Sequence, residues 1–162
     1  TAEAELMAFA PGAGFKAAMY GINVARFGVA AMCNGALEGG LNIAVDYAKK
    51  REAFGRPIIK HQGLQWQLAE AATQLESSRM LTYRAAEILD KGKDVNVMAA
   101  HAKKFATRAA FEGLITAMQV MGANGLLREN PLARQMSGTR VTHYMDGTTE
   151  IQNIVIGRSL LG

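Results

Sequence analysis

The sequence predicts an all-α fold: an antiparallel four-helix up-and-down bundle with an additional short helix. Three observations carry this. No segment of convincing length alternates apolar and polar residues with the period of two that a half-buried strand needs. Long stretches place apolar residues three and four apart instead, the spacing of a helix face. The breaks between them are helix punctuation: Gly92, the run Gly122 to Gly125, and Asn130-Pro131. With 162 residues, 49% apolar and 20% charged, the chain can bury one core and is globular rather than disordered.

Residues 1–12 end in Pro11-Gly12 and read as a connector, which leaves 13–162 as the bundle domain. From Phe15 to about Lys50 only glycines interrupt a helical pattern, and Pro57 stops it from continuing. One long helix is predicted there, with its glycines as points of close packing. In the second, Leu64, Leu68, Ala71, Leu75, Ser78, Thr82, Ala85 and Leu89 form a seam. Gly92 is expected to cap that helix and Asp94 to cap the start of the next.

The third helix, about 95–121, carries Phe105, Phe111, Leu114, Ile115, Met118 and Met121 around most of its circumference, with Ala102, Ala106, Ala109 and Gly113 allowing close approach. A helix of that kind belongs in the middle of a bundle. A shorter fourth helix follows, to about 142, with Pro131 at its first position. The last runs from about Thr149 to Leu161, where Thr149 and Gln152 stand at capping-box spacing and Ile151, Ile154 and Val155 form an apolar stripe.

Composition excludes several functions. The net charge of +4 is spread along the chain, with only Lys49 to Arg51 and Lys103-Lys104 adjacent and no interleaved aromatic residues, so nucleic-acid binding is not expected. Cys33 has no partner for a disulfide and reads as a small buried hydrophobe in a reducing compartment. No apolar stretch reaches the roughly 20 residues of a membrane span, and the N-terminus lacks the pattern of a signal peptide, so a soluble intracellular protein is expected. His61, His101 and His143 lack partners at metal-ligand spacing, so no metal site is predicted. The glycine turns do not follow strands, which removes a dinucleotide or P-loop reading.

What remains is Asp146, in "HYMDGTTEIQ". By residue type alone it is a turn residue starting the last helix, because aspartate favours turns and a negative charge is stabilised at a helix N-terminus. The alternative is a catalytic base.

Four separated stretches, "GFKAAMYGINVARFGVAA", "YAKKREAFGRPIIKHQGLQWQLAE", "AMQVMGANGL" and "MDGTTEIQNIVIGRSLL", resemble in order and register the C-terminal domain of acyl-CoA dehydrogenases, from about Gly12 to the end. The resemblance implies a flavoenzyme in which a carboxylate removes the proton α to a thioester carbonyl while the β hydride passes to N5 of FAD. It also implies a homo-oligomer, tetramer or dimer, with FAD between subunits, an electron-transfer flavoprotein as electron acceptor, and a bacterial cytoplasmic or mitochondrial matrix setting. By similarity Arg51, Phe54, Gln62, Gln119 and Gly122 contact FAD, joined by Thr148 and Glu150 from the last helix start. Arg26 and Asn23 are placed near the substrate, with Gly147 in the substrate-binding turn.

Asp146 matches the family's usual glutamate base in a "YEGT" motif, where the residues here are Met145, Asp146, Gly147 and Thr148. The side chain is one methylene shorter. Some family members carry the base just before the arginine matched by Arg26, where this chain has Ala25. Ala123 replaces a usual glycine and Met145 a usual tyrosine. Nothing in the chain corresponds to the family's N-terminal helical and middle β domains, so this segment is expected to be part of a larger enzyme or one component of a split assembly. The competing expectation is a helical oligomerisation and cofactor-support module without turnover.

Overall fold

The computed structural model describes residues 9–162. Among them are five α-helices: α1 Gly14–Lys50, α2 Gln62–Asp90, α3 Asn96–Met121, α4 Leu132–Thr142 and α5 Thr149–Ser159. The all-α expectation holds. Of the connector expected over 1–12, residues 1–8 lie outside the described residues. Residues 9–12 precede α1 as bend and turn, and Pro11-Gly12 ends with Gly12 at φ +87°.

Side-chain pairings fix the directions. Asn34 meets Ser78 and Thr82, and Glu38 pairs with Arg79, so α2 runs back along α1. Gly113 lies against Leu37, and Tyr47 accepts a hydrogen bond from Asn124 just beyond α3, so α3 runs in the direction of α1. The central position expected for α3 is observed, since it packs on α1, α2, α4 and α5. Two of its apolar residues nevertheless face outward, Phe105 and Ile115, while Leu114 and Met121 are buried.

The core is lined by small residues. On α1 the buried positions Ala30, Cys33, Leu37, Leu41, Ala44 and Ala48 step by three and four, facing Ala99, Ala102, Ala106, Ala110 and Ala117 of α3. The predicted α2 seam is buried at Leu68, Ala71, Leu75, Ser78, Thr82 and Ala85. Of the α1 glycines expected to be packing points, only Gly40 is one. A β-carbon there would overlap Leu114, whereas Gly21, Gly28, Gly35 and Gly39 face open space. Its counterpart on α3 is Gly113, against Leu37.

Three local expectations are corrected. A two-stranded antiparallel hairpin, β1 Glu52–Ala53 and β2 Arg56–Pro57, joins α1 to α2. Its strands are too short to show periodicity, and its two-residue turn places both Phe54 (φ +52°) and Gly55 (φ +78°) in left-handed conformation, as the tightest hairpins demand. Pro131 sits one position before α4 rather than at its first residue. At α5 the capping box does not form: Thr148 is the N-cap residue, and Gln152 is engaged elsewhere. Ile151, Ile154 and Val155 do share one face of α5, with Ile151 and Ile154 exposed, while Gln152 is the buried residue of the helix.

Helix ends behave as predicted at the α2–α3 junction. Gly92 at φ +65° lets its own amide reach the Leu89 carbonyl and the Lys93 amide reach Ile88. Asp94 then accepts from the Asn96 amide at 2.9 Å.

Candidate active site

The segment between α4 and α5 spans six residues, 143–148, and within it Asp146 (φ +49°) and Gly147 (φ +93°) are both left-handed. Aspartate tolerates that region better than most residues, and glycine enters it freely. With both residues turned this way, the carbonyls of 146 and 147 are met by side chains from the bundle.

The first is Arg26 of α1, only 3% exposed. Its Nε donates to the Asp146 carbonyl at 3.1 Å, while Nη1 donates to Asn23 Oδ1 at 2.9 Å and to Asn96 Oδ1 at 3.0 Å. Burial pushes the guanidinium below its ordinary range, and the nearby Asp146 carboxylate opposes that. The second is Gln152 of α5, which donates from Nε2 to the carbonyls of Gly147 (2.9 Å) and Asp146 (3.3 Å). The third is Lys103 of α3, fully buried, whose Nζ donates to Gly147 at 2.6 Å and to His143 at 3.1 Å. Burial lowers the Lys103 pKa, Arg26 adds to that, and the Asp146, Cys33 and Glu150 acids oppose it.

Asp146 is a turn residue just ahead of α5, as residue type suggests, but it does not cap the helix. Thr148 occupies the N-cap position, and among the described residues no hydrogen bond engages the Asp146 carboxylate. Its backbone is held and its acid is left available. Glu150, in the first turn of α5, has its carboxylate pulled below the usual range by its own backbone amide and the Thr148 hydroxyl.

The predicted residues therefore fall into two groups. Asn23, Arg26, Asp146, Gly147, Thr148 and Glu150 gather at one end of the bundle. Arg51, Phe54, Gln62, Gln119 and Gly122 lie at the other, where Tyr47 and Asn124 tie the ends of α1 and α3 together at 3.0 Å. The 24 residue-to-residue steps of α1 from Arg26 to Lys50, at a rise of about 1.5 Å each, put roughly 36 Å between the groups. At the far end all five residues are exposed. Phe54, which a packing reading places in the core, is 95% exposed at the hairpin tip. The side chains of Arg51, Gln62 and Gln119 have no hydrogen-bond partner among the described residues, and the Phe54 ring meets only the edge-on ring of His61, at 5.9 Å between centroids.

Lys103, Gln152 and Asn96 escape a reading of the sequence by residue type. Lys103 had a visible signal: positions 99, 103, 106, 110, 113 and 117 step by three and four, and a lysine sits among alanines on that buried seam. Gln152 was visible only as half of a capping box.

The arrangement is a helical bundle whose buried cations and amide hold the backbone of a turn that carries a carboxylate. A family model described as acyl-CoA dehydrogenase, C-terminal domain, matches residues 12–161, and the chain belongs to that family. It is 42% identical over 151 residues to an acyl-CoA dehydrogenase of Bacillus subtilis, covering 93% of this chain and 40% of that protein. The mitochondrial short-chain specific acyl-CoA dehydrogenase of Bos taurus is likewise 42% identical, with 93% and 37% covered. The solved butyryl-CoA dehydrogenase of Megasphaera elsdenii superposes with a TM-score of 0.90 at 40% identity, over 93% of this chain and 39% of that one. The chain thus spans about 40% of the length of the relatives it matches.

Proposed function

We propose that this chain is the C-terminal part of an FAD-dependent acyl-CoA dehydrogenase that oxidises the α,β bond of an acyl-CoA thioester, with Asp146 as the base. The observation that carries the reading is the Asp146 turn: its carbonyl is bound by Arg26 and Gln152 while its carboxylate has no hydrogen-bond partner among the described residues. A general base needs that combination, a fixed anchor and a free acid within reach of the proton. The side chain is one methylene shorter than the family's glutamate, so the substrate α carbon must lie correspondingly closer to the turn.

The residues at both ends fit a flavin. At the far end, the exposed Arg51 guanidinium suits a pyrophosphate, the Gln62 and Gln119 amides suit adenosine or phosphate oxygens, and Phe54 offers a ring face to a planar group. At the near end, Thr148 and Glu150 stand at the start of α5, where backbone amides and the positive dipole end accept anionic or electron-rich groups. Bound FAD would supply the hydride acceptor. Because about 36 Å of α1 separates the two ends, further than one dinucleotide extends, each bundle would serve two flavins, one at each end. That arrangement calls for a homo-oligomer, tetramer or dimer. The exposed Trp66, Met80, Tyr83, Phe105 and Ile115 on α2 and α3 supply apolar surface for it.

An electron-transferring flavoprotein is proposed as the acceptor of the reducing equivalents, and a bacterial cytoplasm or mitochondrial matrix as the compartment. In support of the latter, no helix among the described residues is long and apolar enough to cross a membrane, and the matched relatives include a bacterial and a mitochondrial enzyme.

The test is Asp146→Asn in the full-length, FAD-loaded protein. Flavin bleaching by an acyl-CoA should slow by about 10²–10⁴-fold, the contribution of a positioned general base, while the yellow flavin stays bound. Unchanged bleaching would remove Asp146 from the mechanism. A correctly loaded wild-type protein that no acyl-CoA bleaches would instead favour the support-module alternative.

A further inference from the structure

The segment joining two helices normally runs over the surface with its carbonyls in water. Here the carbonyls of residues 143, 146 and 147 are taken by donors from α1, α3 and α5. Lys103 is the most costly of these. A fully buried ammonium is strongly disfavoured against a methionine of similar volume on the same alanine-rich seam. What its burial obtains is specific: Nζ bridges the carbonyl of His143, at the end of α4, and that of Gly147, at the start of α5, so a single group pins both ends of the turn. Gln152 repeats the pattern. Its Nε2 takes two carbonyls while its buried Oε1 has no partner, so the amide is oriented by the turn rather than by its own hydrogen-bonding needs.

We propose that Lys103 and Gln152 are positioning residues that clamp the backbone of the Asp146 turn, so that the carboxylate is held at a fixed depth for proton removal. The inference rests on the reading of Asp146 as base. It assigns to α3 and α5 a part in the reaction that neither makes by touching substrate. The shortened acid makes the clamp consequential, because an aspartate has one fewer rotatable bond with which to recover from a displaced backbone.

The experiment uses the full-length, FAD-loaded protein and an acyl-CoA that bleaches it. Lys103→Met removes both hydrogen bonds while conserving side-chain length, and Gln152→Met removes the second grip from a different helix. With the flavin still bound, each variant should lower kcat by about a hundredfold, the cost of roughly 1 Å of misplacement, while KM stays within about threefold. Lys103→Arg, which keeps a charged donor, should recover part of the loss. Hydrogen exchange at the amides of residues 144–149 should accelerate in both methionine variants. A residue that only stabilises the fold would lower the melting temperature and leave kcat alone.

Wild-type kcat in flavin-loaded Lys103→Met and Gln152→Met, or unchanged exchange at 144–149, overturns the proposal. Should Lys103→Met fail to load flavin, Gln152→Met decides. The two levels of inference separate cleanly. Full turnover by Asp146→Asn would sink the base assignment even where exchange shows the clamp. An inactive Asp146→Asn beside a fully active Lys103→Met sinks the clamp alone.

Discussion

Gly147→Ala tests the geometry on which the candidate site is built. Gly147 has φ +93°, where an L side chain is strained at a cost of about 1–2 kcal/mol. The added β-carbon would also stand 3.0 Å from Gln152 Nε2, 3.1 Å from Ile151 Cγ2 and 3.4 Å from Ile151 Cβ. The isoleucine is branched at Cβ on the first turn of α5 and has little freedom to swing away, which adds about 1 kcal/mol of overpacking. The amide that must yield is the one holding the Gly147 carbonyl. Together these give about 2–3 kcal/mol, and at ~2–4 °C per kcal/mol for a domain of this size the midpoint should fall by roughly 5–10 °C. Thermal unfolding followed by the helical circular dichroism signal measures it, with Gly138→Ala as the control. Gly138 is exposed in α4 with nothing near its missing β-carbon, so alanine there should raise the midpoint slightly. A Gly147→Ala midpoint equal to wild type would refute the left-handed, tightly packed turn.

In the core, Gly113→Ala should cost about 1–3 kcal/mol because its β-carbon collides with Leu37, and Leu37→Val should relieve part of that cost; a double-mutant cycle in urea that shows strict additivity would contradict the contact. The pH response of Glu87 follows from its partners. Hydrogen bonds from Lys91 and Arg84 hold this carboxylate down to about 2 from 4.5, so its contribution is present above 4.5 and is lost as pH falls through the folded value. The midpoint difference between wild type and Glu87→Gln should therefore be small and positive at pH 6 and close between pH 4.5 and 2, since exposed pairs are weak; an offset that persists unchanged to pH 2 would count against the pairing.

The long elements were legible because their patterning is redundant. Along α2 six seam positions repeat one spacing, so no single residue had to be judged correctly. The hairpin after α1 was not, because two-residue strands carry no period, and its turn puts a phenylalanine in a conformation that bulky residues avoid. At α5 the local rules misled. Thr149 and Gln152 have capping-box spacing, but Gln152 donates to the carbonyls of 146 and 147 instead of the helix end, and that engagement is invisible over four residues of sequence. For Asp146, residue type suggested a turn residue that helps start α5; it does lie in that turn, but Thr148 takes the N-cap position and the contacts fall on the Asp146 carbonyl rather than its acid. Lys103 shows the opposite failure. As half of an adjacent basic pair it reads as surface charge, and only its place in the helical register reveals a buried cation.

Within the interface of the first two helices, Asn34, Ser78 and Thr82 close a ring of hydrogen bonds: the Ser78 hydroxyl donates to Asn34, the Asn34 amide to Thr82 at 3.1 Å, and the Thr82 hydroxyl to the Ser78 carbonyl at 2.8 Å. Leucine and alanine seams tolerate sliding, since one apolar rung resembles the next. A shift by one helical turn would strand these polar atoms among hydrocarbon, so the pair has a single permitted alignment, like a key with one notch. The same alignment sets how far the β1–β2 hairpin stands from the opposite pole of the molecule, and so sets the spacing at which any ligands held at the two poles face one another.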